Sequence, residues 1–136
     1  MANKRADSWN GMNWIRQEKR LAIHLRDGCA CMYCGATMED GTVLTLDHVK
    51  PHVKGGSNSE RNLVTACRKC NSSRGDRPVE EFAKDVANYV NHGVTAESIL
   101  ASIRSNTRKS IKEFKIQAKE MIVRRGSAAK VLAKGI

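Results

Sequence analysis

The chain has 136 residues, only two Trp, two Tyr and two Phe, and a formal net charge of +10. That length allows one domain, or one small domain with an appendage, and so small and aromatic-poor a chain needs a staple beyond its own apolar core. No stretch approaches the roughly 18 apolar residues of a membrane span. The polar N-terminus leads into no apolar signal core, which points to a cytoplasmic, reducing setting and away from disulfides.

The charge is unevenly spread. Residues 1–100 carry 14 Lys and Arg against 12 Asp and Glu, whereas residues 101–136 carry 10 against only Glu113 and Glu120. A near-neutral body with a basic C-terminal segment predicts a polyanionic partner, nucleic acid before any other.

In chain order, residues 1–12 read as a flexible, polar lead-in. A helix is predicted from Asn13, its N-cap, to Arg26, with Trp14, Leu21, Ala22 and Leu25 on one face and Arg26 away from it. Asp27-Gly28 ends it. His24 inside this helix reads as a surface or core residue. Cys31-Met32-Tyr33-Cys34-Gly35 is a Cys-x-x-Cys turn in which both thiolates can face one metal, with Cys29 left as a spare. Residues 42–46 read as a strand that delivers Asp47 and His48 at its end. A long loop follows from Pro51 through Gly55-Gly56-Ser57-Asn58-Ser59. Residues 62–66 read as a second short strand, and Cys67-Arg68-Lys69-Cys70 opens a short helix that stops at Gly75.

Beyond Pro78 the pattern is helical. Val79, Phe82, Ala83, Val86 and Val90 share a face up to His92-Gly93. Thr95 caps a second helix with Ile99, Leu100 and Ile103. Asn106 or Thr107 caps a third with Ile111, Phe114, Ala118 and Ile122, and Gly126-Ser127 ends it before a weak last turn through Val131 and Leu132.

Two Cys-x-x-Cys pairs, Cys31/Cys34 and Cys67/Cys70, supply four thiolates for one tetrahedral Zn²⁺. With no open position, such a site is structural. The segment between the pairs holds the chemistry. Phosphodiester hydrolysis needs an activated water and a cation against developing charge. A histidine can take a proton from water near neutral pH, which makes His48 a candidate base, and Asp47 is a hard ligand suited to Mg²⁺ or Mn²⁺. Adjacent strand residues diverge, so the two side chains can face a substrate from different sides.

The stretch from Arg26 to Arg77 resembles the HNH endonucleases. The matching elements are Arg26-Asp27-Gly28, Cys31-x-x-Cys34-Gly35, Leu46-Asp47-His48-Val49-x-Pro51, Gly55-Gly56, Asn62-Leu63 and Cys67-x-x-Cys70-Asn71. The resemblance implies an α+β fold: a small ββα-metal core stapled by a four-cysteine zinc site, with an N-terminal helix and a C-terminal helical extension. It implies His48 as general base, Asp47 as ligand of a catalytic Mg²⁺ or Mn²⁺, Asn62 fixing the loop and orienting His48, and Asn71 as second ligand in place of the final histidine. Arg74, one turn past Asn71, is a possible phosphate contact, and His52 a lesser candidate beside the active loop.

The expected domains are a lead-in over 1–12, an HNH nuclease domain over 13–78 and a basic α-helical extension over 79–136. The expected function is a metal-dependent endonuclease that nicks or cuts double-stranded DNA in a bacterial or phage-infected cytoplasm. The alternative is a zinc-stapled DNA-binding module, or a subunit that acts only beside other phage or mobile-element proteins, for example in DNA packaging.

Overall fold

The computed structural model describes residues 14–89 and 93–134. The lead-in over 1–12, the Asn13 cap, Val90 and His92 lie outside the described residues. Helix α1 is Gln17–Arg26 and follows an extended Arg16 that makes no side-chain cap. Trp14 therefore precedes the helix, although periodicity placed it inside. Strands β1 (Leu44–His48) and β2 (Leu63–Cys67) form a two-stranded antiparallel sheet, with Leu46 opposite Thr65, Asp47 opposite Val64 and His48 opposite Leu63. Asp47 and His48 thus lie within β1 and not beyond it. The ladder with β2 decides this, because their backbone groups find partners there. Asn62 falls just before β2, in a single 3-10 turn over Glu60–Asn62.

The helices that follow are α2 (Arg68–Arg74), α3 (Val79–Tyr89), α4 (Ala96–Arg108), α5 (Lys112–Arg125) and α6 (Ala128–Lys134). Thr95 caps α4 as expected, accepting a hydrogen bond from the Ser98 N–H at 3.0 Å. Asn106 and Thr107 do not cap α5 but belong to the last turns of α4. Thr107 Oγ1 bonds back to the Ile103 carbonyl at 2.8 Å, and Asn106 Nδ2 reaches Asp27 Oδ1 at 3.0 Å. Helix α5 starts after Ile111 with no side-chain cap. Gly126 ends it at φ +101°, and α6 is a full two turns where a weak turn was expected.

Two apolar cores lie on either side of the sheet. One gathers Tyr33, Val64 and Ala66 with Phe82, Ala83 and Val86 of α3 and Ile99 and Ile103 of α4. The other gathers Leu21, Ala22 and Ile23 of α1 with Leu46, Leu63, Ile111, Ala118, Ala128 and Val131. Both therefore contain helices from beyond residue 79. Fully buried side chains such as Leu21, Leu63 and Phe82 contribute about 1.5–3 kcal/mol each by burial. His24 is a core residue, with Nδ1 2.8 Å from Thr65 Oγ1. Among the described residues no helix is long and apolar enough to cross a membrane.

Candidate active site

The four cysteines come together from two turns. Gly35, at φ +81°, closes the first and returns its N–H to the Cys31 carbonyl at 2.9 Å. That left-handed conformation is readily adopted only by glycine. The N–H groups of Tyr33 and Cys34 point at Cys31 Sγ, at 3.4 and 3.5 Å. Cys67 ends β2 and caps α2, accepting the Cys70 N–H at 3.3 Å. All four sulfurs lie within 4.8 Å of one another, with Cys34 and Cys67 3.7 Å apart. A tetrahedral ion with bonds of about 2.3 Å spaces its sulfurs by about 3.8 Å, so the cluster fits a closed metal site. The neighbouring Cys70 and backbone N–H groups hold the Cys31 thiol below its ordinary value, whereas burial pushes Cys34 up. Cys29 stays out of the cluster, and burial raises its thiol to about 11.

Strand alternation turns Asp47 and His48 to opposite faces. Asp47 faces the cysteine-side core and is 5% exposed. Its Oδ2 accepts the Tyr33 hydroxyl at 2.6 Å and Arg74 Nη1 at 2.7 Å. Burial, reinforced by Asp47, raises the Tyr33 phenol, so it remains a donor. Arg74 is 1% exposed. Its remaining donors reach the carbonyls of His48 and Val49, both at 2.6 Å, and of Arg77 at 2.9 Å. The guanidinium that sequence spacing offered to a phosphate is thus occupied inside the protein, because β1 and α2 close over it. Oδ1 of Asp47 takes no hydrogen bond among the described residues.

Asn71 stands on α2 against the same face. Its Nδ2 donates to Thr45 Oγ1 at 2.9 Å and to the Leu46 carbonyl at 3.1 Å. With the amide nitrogen so committed, its oxygen takes no hydrogen bond among the described residues. Asp47 and Asn71 thus each keep one oxygen uncommitted on this face, a donor set suited to a hard divalent cation.

His48, half-buried on the other face, lies under Trp14, with ring centroids 5.0 Å apart, and beside His52 at 5.6 Å. Its Nε2 is 2.8 Å from Asn58 Oδ1. Among the described residues Asn62 makes no hydrogen bond to the His48 ring and instead ties the loop after it. Its Oδ1 accepts the Lys50 N–H at 2.8 Å, and its Nδ2 donates to the carbonyls of Lys50 at 3.1 Å and Ser57 at 2.9 Å. The loop wraps so closely that a Cβ on Gly56 would meet the Lys50 carbonyl oxygen at 1.8 Å.

Residues 31–77 match the family model described as HNH endonuclease. This segment is an HNH domain. The CRISPR-associated endonuclease Cas9 of Actinomyces naeslundii is 45% identical over 58 residues, 42% of this chain and 5% of that protein. Cas9 of Corynebacterium diphtheriae is 32% identical over 84 residues, 61% of this chain and 7% of that protein. YoqL, an SPbeta prophage-derived protein of Bacillus subtilis whose name describes an HNH endonuclease, is 41% identical over 59 residues, 38% of this chain and 26% of that protein. The chain thus spans about a quarter or less of each relative. No solved structure gives a significant match.

The HNH domain is braced from outside its matched segment. Arg26 and Asp27 are buried and paired at 2.8 Å. Arg26 also donates to the Glu60 and Leu63 carbonyls at 2.9 and 2.7 Å, and Asp27 accepts the Thr65 N–H at 2.8 Å. The pair locks the end of α1 to β2, so Arg26 is a core residue and not the outward one that periodicity suggested. Tyr33, Asn58 and Trp14 escaped the sequence reading of the site. Tyr33 carried one signal, since a large polar-tipped ring between two clustered cysteines must be buried and must find a partner for its hydroxyl.

Proposed function

We propose that the chain is a metal-dependent endonuclease that hydrolyses phosphodiester bonds of double-stranded DNA. One juxtaposition carries the reading. At the end of β1 a histidine faces one side of the sheet, while an aspartate and an asparagine each present an uncommitted oxygen on the other. Asp47 and Asn71 would hold one Mg²⁺ or Mn²⁺. Such an ion, when bound, supplies positive charge against the phosphate. His48 accepts the proton of the attacking water. Asn62 holds the loop that borders His48. Tyr33 and Arg74 occupy one oxygen of Asp47, which aims the other. Zn²⁺ in the four-cysteine site holds the Cys31 turn, the end of β2 and the start of α2 together, without joining the chemistry.

The basic C-terminal helices supply the backbone grip. Lys112, Lys115 and Lys119 are exposed and recur every three or four residues along α5. Lys119 and Arg16, with Glu18 also in the lining, border a groove of about 410 Å³ at the start of α1, two residues from Trp14. That arrangement suits phosphate contacts without base reading.

The test is incubation of supercoiled plasmid with the full chain in Mg²⁺, in Mn²⁺ and in EDTA, with His48→Ala alongside. Conversion to open-circle or linear DNA that needs both metal and His48 is expected. A second reading, a DNA-binding subunit active only beside other phage or mobile-element proteins, is favoured by the small share of each relative that the chain spans. A folded, metal-loaded chain that binds plasmid without cutting it would support that reading instead.

A further inference from the structure

We propose that Asn58 is a positioning residue that selects the working tautomer of His48. The proposal rests on the reading of His48 as the base and goes beyond it in naming which ring nitrogen acts.

An amide oxygen only accepts hydrogen bonds. With Asn58 Oδ1 at 2.8 Å, Nε2 of the neutral ring must carry the proton. Nδ1 is then the nitrogen with a lone pair, and it makes no hydrogen bond among the described residues. The ring cannot turn over easily to exchange the two nitrogens, because Trp14 packs against it at 5.0 Å, tilted by 31°, and His52 at 5.6 Å.

The acceptor is itself held in place. The main-chain oxygen of Asn58 takes a hydrogen bond from Lys19 Nζ at 2.8 Å, which ties it to α1. The carbonyl of the preceding Ser57 takes one from Asn62 Nδ2 at 2.9 Å. Asn62 therefore acts on His48 at one remove. It fixes the loop, the loop places Asn58, and Asn58 fixes the ring. A histidine held in the wrong tautomer keeps its place and loses its function as a base.

The experiment uses the full chain with its metal, selectively labelled with ¹⁵N-histidine, in buffer alkaline enough to keep the ring neutral. Ring ¹⁵N shifts of His48, assigned by loss of its signals in His48→Ala, report the tautomer without any need for activity. Asn58→Leu removes the acceptor at similar volume, and Asn58→Asp keeps one. The wild type is expected in the Nε2–H form. Asn58→Leu should populate both forms and lower single-turnover plasmid cleavage by roughly tenfold or more, with DNA affinity and melting temperature unchanged. Asn58→Asp should restore both the tautomer and the rate. An Nδ1–H wild type would overturn the proposal. So would an Asn58→Leu variant that keeps the tautomer, or one that loses it and cleaves as fast or faster. If His48→Ala cleaves normally, the reading of His48 as base fails, while the tautomer spectra still decide the role of Asn58.

Discussion

Arg74 Nη1 lies 2.7 Å from Asp47 Oδ2, and the side chains of both residues are buried, at 0% and 7% exposure. A buried pair is costly to break from one side, because the remaining charge stays out of water without a partner. Arg74→Met should therefore destabilise the chain by about 3–5 kcal/mol, read from urea unfolding. Tyr33→Phe removes one hydrogen bond to the same oxygen and should cost about 1–3 kcal/mol. Equal stability of Arg74→Met and wild type would show that the pair does not hold Asp47.

Gly56 allows the loop after β1 to close on Lys50 and Asn62. Gly56→Ala places a methyl group on the Lys50 carbonyl, so the loop must open. The expected result is faster amide exchange at Lys50, whose N–H is bonded to Asn62 Oδ1, with β2 still protected. Asn62→Ala should give the same exchange pattern, since it removes the other half of that closure.

Metal removal separates the cysteines by role. A chelator strong enough to strip the four-cysteine site should unfold the chain or sharply lower its melting temperature, because metal binding contributes folding free energy. Cys34→Ser should lose stoichiometric zinc, whereas Cys29→Ser should retain it, as measured by elemental analysis.

His24 gives the fold an acid-sensitive point. Burial lowers its pKa from 6.5 to about 4. Between those values the unfolded chain binds a proton that the folded chain does not, so stability rises with pH across that window. The contribution is fully present above about 6.5, is lost as pH falls towards 4, and is constant below that. The shift corresponds to about 3 kcal/mol. The difference in unfolding free energy between wild type and His24→Gln, followed from neutral pH down to 4, should shrink by an amount of that order.

The basic stripe of α5 predicts salt-dependent binding. Duplex affinity should fall steeply with ionic strength, and Lys112→Ala, Lys115→Ala and Lys119→Ala together should flatten the slope by roughly one for each phosphate no longer neutralised. A slope that the triple variant leaves unchanged would remove α5 from the interface. The melting temperature should not move, since all three side chains are exposed.

The sequence made much of this protein legible. Cysteine spacing gives the metal staple, because a Cys-x-x-Cys turn is a local geometry that needs no distant partner. The Thr95 cap and the apolar faces of the helices were equally readable, since caps and periodicity are local. The extent of β1, the positions of Asn106 and Thr107, and the burial of Arg26 and Arg74 were not readable. Each depends on a partner far along the chain: β2 for the strand, Asp27 for Asn106, and the carbonyls of residues 48, 49, 60 and 63 for the arginines. Arginine at helical spacing looks the same in sequence whether it meets solvent or a buried carboxylate.

By itself, then, the sequence determined the residues on which the proposed chemistry rests, Asp47, His48, Asn62 and Asn71, and the two cysteine pairs around them. Only the tertiary structure decided how they are held. Strand pairing sets which face each takes, Asp47 towards the cysteine-side core and His48 towards Trp14. The fold of the loop brings Asn58, and not Asn62, to the His48 ring. Packing of β1 against α2 buries Arg74 on Asp47. These are hydrogen bonds across 10 to 27 residues of chain, and their directions are set by which backbones meet, which no local pattern encodes.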